Sequence, residues 1–126
     1  ARRANLWGAK VALVDCGYDY ATGIRRGAGV GGTCVNVGCI PKKMMFSAAS
    51  LYEEIHGKAE LCSGNGISVE KASFDWKTLK TGRDAYVDRA SHAYNRNWRK
   101  EGIEVVLGMG KLVDPHTVEV ALNDGE

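Results

Sequence analysis

The chain has 126 residues, 17 Lys and Arg against 15 Asp and Glu, and a net charge of +2. That length suits one compact domain, and 44% apolar with 25% charged residues excludes wholesale disorder. The charge is too small and too evenly mixed for a nucleic-acid partner, and no apolar run reaches the ~18 residues of a membrane-spanning helix.

Residues 1–7 read as the tail of a helix, with Gly8 as its stop. The run 10–14, Lys-Val-Ala-Leu-Val, predicts a strand buried on both faces, ended by Asp15. Helix, tight turn, strand and terminal acid form the second half of a dinucleotide-binding βαβ unit, in which the acid accepts hydrogen bonds from a ribose. The alternative for Asp15 is a helix cap or a turn residue. The first half of such a unit, a strand and a Gly-rich phosphate loop, is not in the sequence. Residues 17–33 form a glycine-rich connection holding Tyr18, Tyr20, Arg25 and Arg26; Gly31-Gly32-Thr33 at its end lets backbone approach a ligand closely.

From 34 to about 61 the pattern turns helical, with Met45, Ala48, Ala49, Tyr52 and Ile55 at spacings of three and four. Pro41 is expected to distort the first turns. A loop follows over 63–73. Residues 74–101 carry the strongest helical signal, with Trp76, Leu79, Tyr86, Val87, Ala90, Tyr94 and Trp98 mostly on one stripe. Ser73 or Asp75 caps its start and Gly102 its end. Residues 103–107 predict a second buried strand. Residues 111–122 predict a small antiparallel pair around Asp114-Pro115-His116, and the final Asn-Asp-Gly-Glu is a turn signal.

Four cysteines are too few for a secreted disulfide scaffold. A metal site is not expected, because there is no Cys-x-x-Cys and His56, His92 and His116 are far apart. Cys16 reads as a small buried hydrophobe and Cys62 as a helix-end thiol. Cys34 and Cys39 need a separate explanation. Residues five apart on a regular helix are ~140° apart and ~7.5 Å along the axis, whereas a disulfide needs Cα atoms within roughly 4.4–6.8 Å. Gly38 and Pro41 are the residues able to bend the first turn and bring the sulfurs together. A helix start, with Lys42 and Lys43 following, favours a thiolate. The pair therefore reads either as a disulfide that opens and closes or as two unrelated buried thiols.

The segment 31–43, GGTCVNVGCIPKK, resembles the redox-active motif of the FAD-dependent pyridine nucleotide–disulfide oxidoreductases, and the resemblance runs over nearly the whole chain. ARRANLWGAKVALVD is similar to the helix and second strand of that family's FAD fold. FDWKTLKTGRDAYVDRASHAYNRNW is most similar to the long helix of its glutathione reductase branch, and IEVVLGMGKLVDPHTVEV to the strand and meander after it. The implied fold class is α/β, a partial Rossmann-like FAD-binding domain of the three-layer ββα type with a small antiparallel meander, over residues 1–126. The NADPH and dimerisation domains are absent from this sequence.

The resemblance assigns roles residue by residue. Asp15 would hold the adenosine ribose of FAD, and Gly32 and Thr33 would pass close to its phosphates and flavin. Cys34 would attack the disulfide substrate and carry the mixed disulfide. Cys39 would take electrons from reduced FAD and rest against the ring as a charge-transfer thiolate. Lys42 would lie near the flavin N5; its plain alternative, a helix N-terminal charge, is electrostatically poor for a cation. Met109 and Gly110 would meet the adenine through backbone. Arg2, Tyr94 and Asn97 fall where glutathione reductases contact glutathione disulfide; otherwise they are ordinary solvated or core-facing helix residues.

The implied protein is an NADPH-dependent disulfide reductase, a homodimer whose partner subunit supplies the acid and base at the disulfide. Its substrate is glutathione disulfide first, with thioredoxin or trypanothione reductase as alternatives in the same family. A truncated, non-catalytic accessory subunit is the reading from a different class. This chain alone is expected to be inactive, since it has neither a complete phosphate cradle nor a nicotinamide site. A cytoplasmic location is expected, with mitochondrion or plastid as alternatives, and neither nucleic acid nor membrane is an expected partner.

Overall fold

The computed structural model describes residues 1–17, 29–68 and 72–122. Tyr18, Tyr20, Arg25 and Arg26 of the glycine-rich connection, and the expected turn at 123–126, lie outside the described residues. Among the described residues, eight elements follow in order: α1 (Arg2–Leu6), β1 (Ala12–Asp15), α2 (Gly32–Asn36), α3 (Cys39–Gly57), α4 (Ala59–Gly64), α5 (Trp76–Lys100), β2 (Glu104–Asp114) and β3 (Thr117–Leu122). The described residues form a mixed α/β fold around a three-stranded sheet of order β1-β2-β3.

β1 pairs with β2 in parallel, from Ala12 opposite Glu104 to Asp15 opposite Leu107. A parallel pair needs a long crossover, and here the helices α2 to α5 supply it. β2 then pairs antiparallel with β3, from Gly108 opposite Leu122 to Asp114 opposite Thr117. The two strands expected at 103–107 and 111 onward are thus one 11-residue strand. Gly108 does not break it but lets it change partner: a Cβ there would lie 2.5 Å from the Ala121 carbonyl oxygen.

α5 forms one wall of the core, packing on β2, α2 and α3. Its start is capped as expected: Asp75 accepts from the backbone N–H of Lys77 and of Thr78. Ile103, just before β2, and Val105 within it are buried at 2% and 5% exposure, and Val30, Val35 and Val87 are buried with them. The buried line of α5 departs from the expected stripe. Val87 and Ser91 are buried, whereas Trp76, Tyr86 and Tyr94 are exposed. Four-residue spacing puts 87 and 91 on one face, and Ser91 is drawn inward by its hydrogen bond to the Val30 carbonyl.

β1 is not buried on both faces as expected. It is the edge strand of the described sheet, and Ala12 and Val14 are exposed. Pro41 also departs from expectation, since it does not distort α3. It is the third residue of that helix, where a backbone N–H has no intrahelical acceptor. The break lies before it, at Val37 and Gly38. None of the described helices is long and apolar enough to cross a membrane.

Candidate active site

The break between α2 and α3 makes the site. Cys34 lies in α2 and Cys39 is the first residue of α3. Without a continuous helix between them, their Cα atoms come to 4.6 Å and the sulfurs are bonded. The approach depends on Gly38, where a Cβ would meet the Thr33 carbonyl oxygen at 2.9 Å and the Cys34 Cα at 3.2 Å. Both half-cystines are exposed, so the bond is open to another sulfur compound. The reading as two unrelated buried thiols is set aside by this geometry.

The two cysteines are not equivalent. Cys39 opens a 19-residue helix whose free N–H groups and dipole favour a negative sulfur. Cys34 sits in a five-residue helix with little dipole to offer. Lys42 is exposed and three residues after Cys39, so the two share a face of α3. Its backbone N–H closes the first turn on the Gly38 carbonyl at 3.0 Å.

A glycine turn leads into α2. Gly29, Gly31 and Gly32 have φ of +86°, +102° and +71°, values that side-chain-bearing residues rarely adopt. Two side chains hold this turn, and the sequence reading missed both. Asn36 Nδ2 donates to the carbonyls of Gly29 and Val30 at 3.1 Å and of Gly32 at 2.9 Å. Ser91 Oγ donates to the same Val30 carbonyl at 2.8 Å. The one available signal was an amide side chain standing between the two cysteines.

The other expected site residues fall into two groups. Asp15 ends β1 and its Oδ1 accepts from the Gly17 N–H at 2.7 Å, so one carboxylate oxygen also serves the turn. Beside it a cavity of about 110 Å³ is lined by Gly17, Gly29, Val30, Ser91 and Leu107 among others. This is the carboxyl end of a parallel strand pair, the usual ligand position in an open α/β sheet. Met109 and Gly110 line a neighbouring groove with Val14 and Cys16. Cys16 and Cys62 are both half-buried.

The second group gathers at the far end of α5. Tyr94 and Asn97 are exposed on that helix. With Glu101 just beyond it they follow the i, i+3, i+7 spacing of one face. Arg2 joins them by donating from Nε and Nη2 to the Glu101 carboxylate. The Tyr94 ring packs on Trp98 with centroids 5.9 Å apart.

The residues present fit the FAD that the motif implies. Gly32 leaves open the space a Cβ would take. Asn36 Oδ1 is buried and has no hydrogen-bond partner among the described residues. An orphaned buried acceptor is costly, and the ribityl and ribose hydroxyls of such a group are donors. Among the described residues no group of His, Cys, Asp and Glu could hold a metal ion.

No family model matches the chain. Curated relatives do. The chain is 41% identical over 126 residues to a glutathione reductase of Schizosaccharomyces pombe, covering 99% of this chain and 24% of that protein. It is 40% identical over 124 residues to a glutathione reductase of Debaryomyces hansenii, covering 97% of this chain and 24% of that protein. Over nearly its whole length the chain is similar to these glutathione reductases. A glutathione reductase of Yarrowia lipolytica adds 41% identity over 112 residues, 89% of this chain and 22% of that protein. The chain spans about a quarter of the length of these glutathione reductases.

Proposed function

We propose that this chain is the segment of an NADPH-dependent glutathione-disulfide reductase that carries the redox-active disulfide, within a Rossmann-like FAD-binding domain spanning residues 1–126. The single observation that supports this most is the exposed Cys34–Cys39 bond, held across a helix break in a chain 41% identical to a glutathione reductase.

The residues that would hold FAD are Asp15 at the ribose, Gly32 and Thr33 along the phosphates and flavin, and the Met109–Gly110 backbone at the adenine. When bound, FAD supplies two-electron transfer between nicotinamide and disulfide. Reduction of the Cys34–Cys39 bond by two electrons and one proton leaves a thiol at Cys34 and a thiolate at Cys39. Lys42, on the same face of α3, steadies negative charge there. Cys34, deprotonated, attacks one sulfur of glutathione disulfide. The first glutathione leaves as a thiolate, and a Cys34–glutathione mixed disulfide remains. Cys39 then attacks the Cys34 sulfur, the Cys34–Cys39 bond re-forms, and the second glutathione leaves. One NADPH and one proton are consumed for two glutathione thiols.

Arg2, Tyr94 and Asn97 are the proposed substrate contacts. A guanidinium recognises the carboxylates of glutathione, and a tyrosine and an amide supply hydrogen bonds. The working protein is proposed to be a homodimer in a reducing compartment, the cytoplasm first. The test is steady-state reduction of glutathione disulfide, thioredoxin and trypanothione disulfide by NADPH, using the longer protein that contains this segment. Preference for glutathione disulfide, abolished by Cys34→Ser, is expected. Preference for either of the others, or turnover that survives the loss of Cys34, would overturn the proposal.

A further inference from the structure

α2 is too short to hold itself together. Its five residues are far below the ~12–15 at which an isolated helix becomes even marginal. Three things fix it: the Cys34–Cys39 bond, the burial of Val35, and the Asn36 side chain. The first of these disappears whenever the disulfide is reduced. What keeps Cys34 within reach of Cys39 in the dithiol state must then be the other two.

We infer that Asn36 is a positioning residue that holds Cys34 in place while the disulfide is open, with Ser91 as its support. The inference rests on the reading of Cys34–Cys39 as a reversible bond. Asn36 stands at the end of α2 and its amide nitrogen meets three carbonyls at the start, those of Gly29, Val30 and Gly32. Three carbonyls around one atom also fix the orientation of the amide, since its oxygen there would face only acceptors. The side chain thus closes the glycine turn onto the helix that follows it. Ser91 reaches the same Val30 carbonyl from α5 and ties the closed unit to the largest helix of the domain. None of these three contacts depends on the sulfur–sulfur bond.

The consequence is a high effective concentration of Cys34 relative to Cys39, which is what drives re-formation of the bond after substrate has been reduced. A glutathione redox buffer is the probe. Reduction there consumes two glutathione thiols, breaks the Cys34–Cys39 bond and yields two protein thiols and one glutathione disulfide. Trapping the thiols with an alkylating reagent across buffers of rising thiol content gives the equilibrium constant of the reverse, bond-closing reaction for the 126-residue chain.

Asn36→Ala and Asn36→Asp are expected to lower that constant about tenfold in favour of the dithiol. Asp keeps the shape but exchanges the donor for a charged acceptor among carbonyls. Ser91→Ala is expected to lower it about threefold. Val37→Ala, at an exposed neighbour, is expected to leave it unchanged. The melting temperature of the oxidised chain is expected to fall far less than the constant does, because the disulfide still holds α2; a role in overall packing would move both together. Wild-type constants in both Asn36 variants would overturn the inference. Should those variants fail to fold, an unmoved constant in Ser91→Ala would overturn it. A wild-type bond that no dithiol can reduce would sink the functional reading and this inference together, whereas unmoved variants in a normally reducible chain sink only this one.

Discussion

The Arg2 guanidinium donates two hydrogen bonds to the Glu101 carboxylate, one of them 2.7 Å long from Nε to Oε2, across 99 positions of sequence. Asn5 adds a bond from its side-chain nitrogen to the Glu101 backbone carbonyl at 2.7 Å. Together they dock α1 against the end of α5. The Glu101 hydrogen bond, and then its charge, raise the Arg2 pKa above an already high value, so the residue stays cationic. The pair is well exposed and adds little to stability. Its consequence is placement: an arginine from one end of the chain is brought to the Tyr94 face of α5.

That placement predicts a substrate phenotype. If the proposed function holds, Arg2→Ala in the longer protein that contains this segment should raise KM for glutathione disulfide about tenfold with little change in kcat, as expected for loss of one charge-assisted contact made equally in ground and transition states. Arg2→Lys should not restore it, because a lysine cannot make the bidentate contact that holds the side chain in position. Steady-state kinetics with varied disulfide decide this; an unchanged KM in both variants would remove Arg2 from the substrate site.

Gly38 allows a second prediction. A methyl group at that position collides with the Thr33 carbonyl, and backbone cannot yield as a flexible side chain can. Gly38→Ala should therefore push α2 away from α3 and hinder closure of the disulfide. Air oxidation of the reduced chain, followed by thiol titration, should leave Cys34 and Cys39 largely open where the wild type closes. Complete closure at the wild-type rate would contradict the role assigned to this glycine.

The core is small, so it should be fragile. Ile103 is 2% exposed, and Ile103→Ala should cost about 2–5 kcal/mol. Since whole domains are stabilised by only about 5–15 kcal/mol, the variant should melt far below the wild type. Circular dichroism at 222 nm, a wavelength on the order of the usual helical band, follows it. An equal effect from Leu112→Ala, which is 78% exposed, would mean that the core lies elsewhere.

Acid should loosen the start of α5. Hydrogen bonds from the Thr78 hydroxyl, and then from the backbone N–H groups of Thr78 and Lys77, lower the Asp75 pKa below its ordinary 3.8. A carboxyl lowered on folding gives its full contribution above the ordinary value and loses it as pH falls through the lowered one. Asp75→Ala should reduce the melting temperature by a few degrees at neutral pH, and that difference should vanish at strongly acidic pH. A difference that persisted undiminished in acid would show that the cap does not act through its carboxylate.

What the sequence made legible was local. The apolar spacing and the Asp75 cap placed α5, and the segment around Cys34 and Cys39 named its own chemistry. The break before Pro41 was legible only in part, because Gly38 permits a close approach to the Thr33 carbonyl that spacing does not display. The continuity of β2 was hidden for a related reason. Gly108 looks like punctuation until β3 is seen pressing on it. Partners distant in sequence left no local trace at all: Glu101 for Arg2, and Val30 for Ser91. Asn36 stood inside the motif, yet its three acceptors exist only once the glycine turn has folded back on it.

Everything proposed for this chain depends on a reversible bond between the sulfurs of Cys34 and Cys39. Alkylation of the 126-residue chain before and after treatment with a dithiol, read by peptide mass mapping, tests it directly. Cys34 and Cys39 should be protected before reduction, labelled together after it, and protected again on reoxidation. Labelling of both without any reductant in the oxidised chain, or a linkage of either to Cys16 or Cys62, would contradict it.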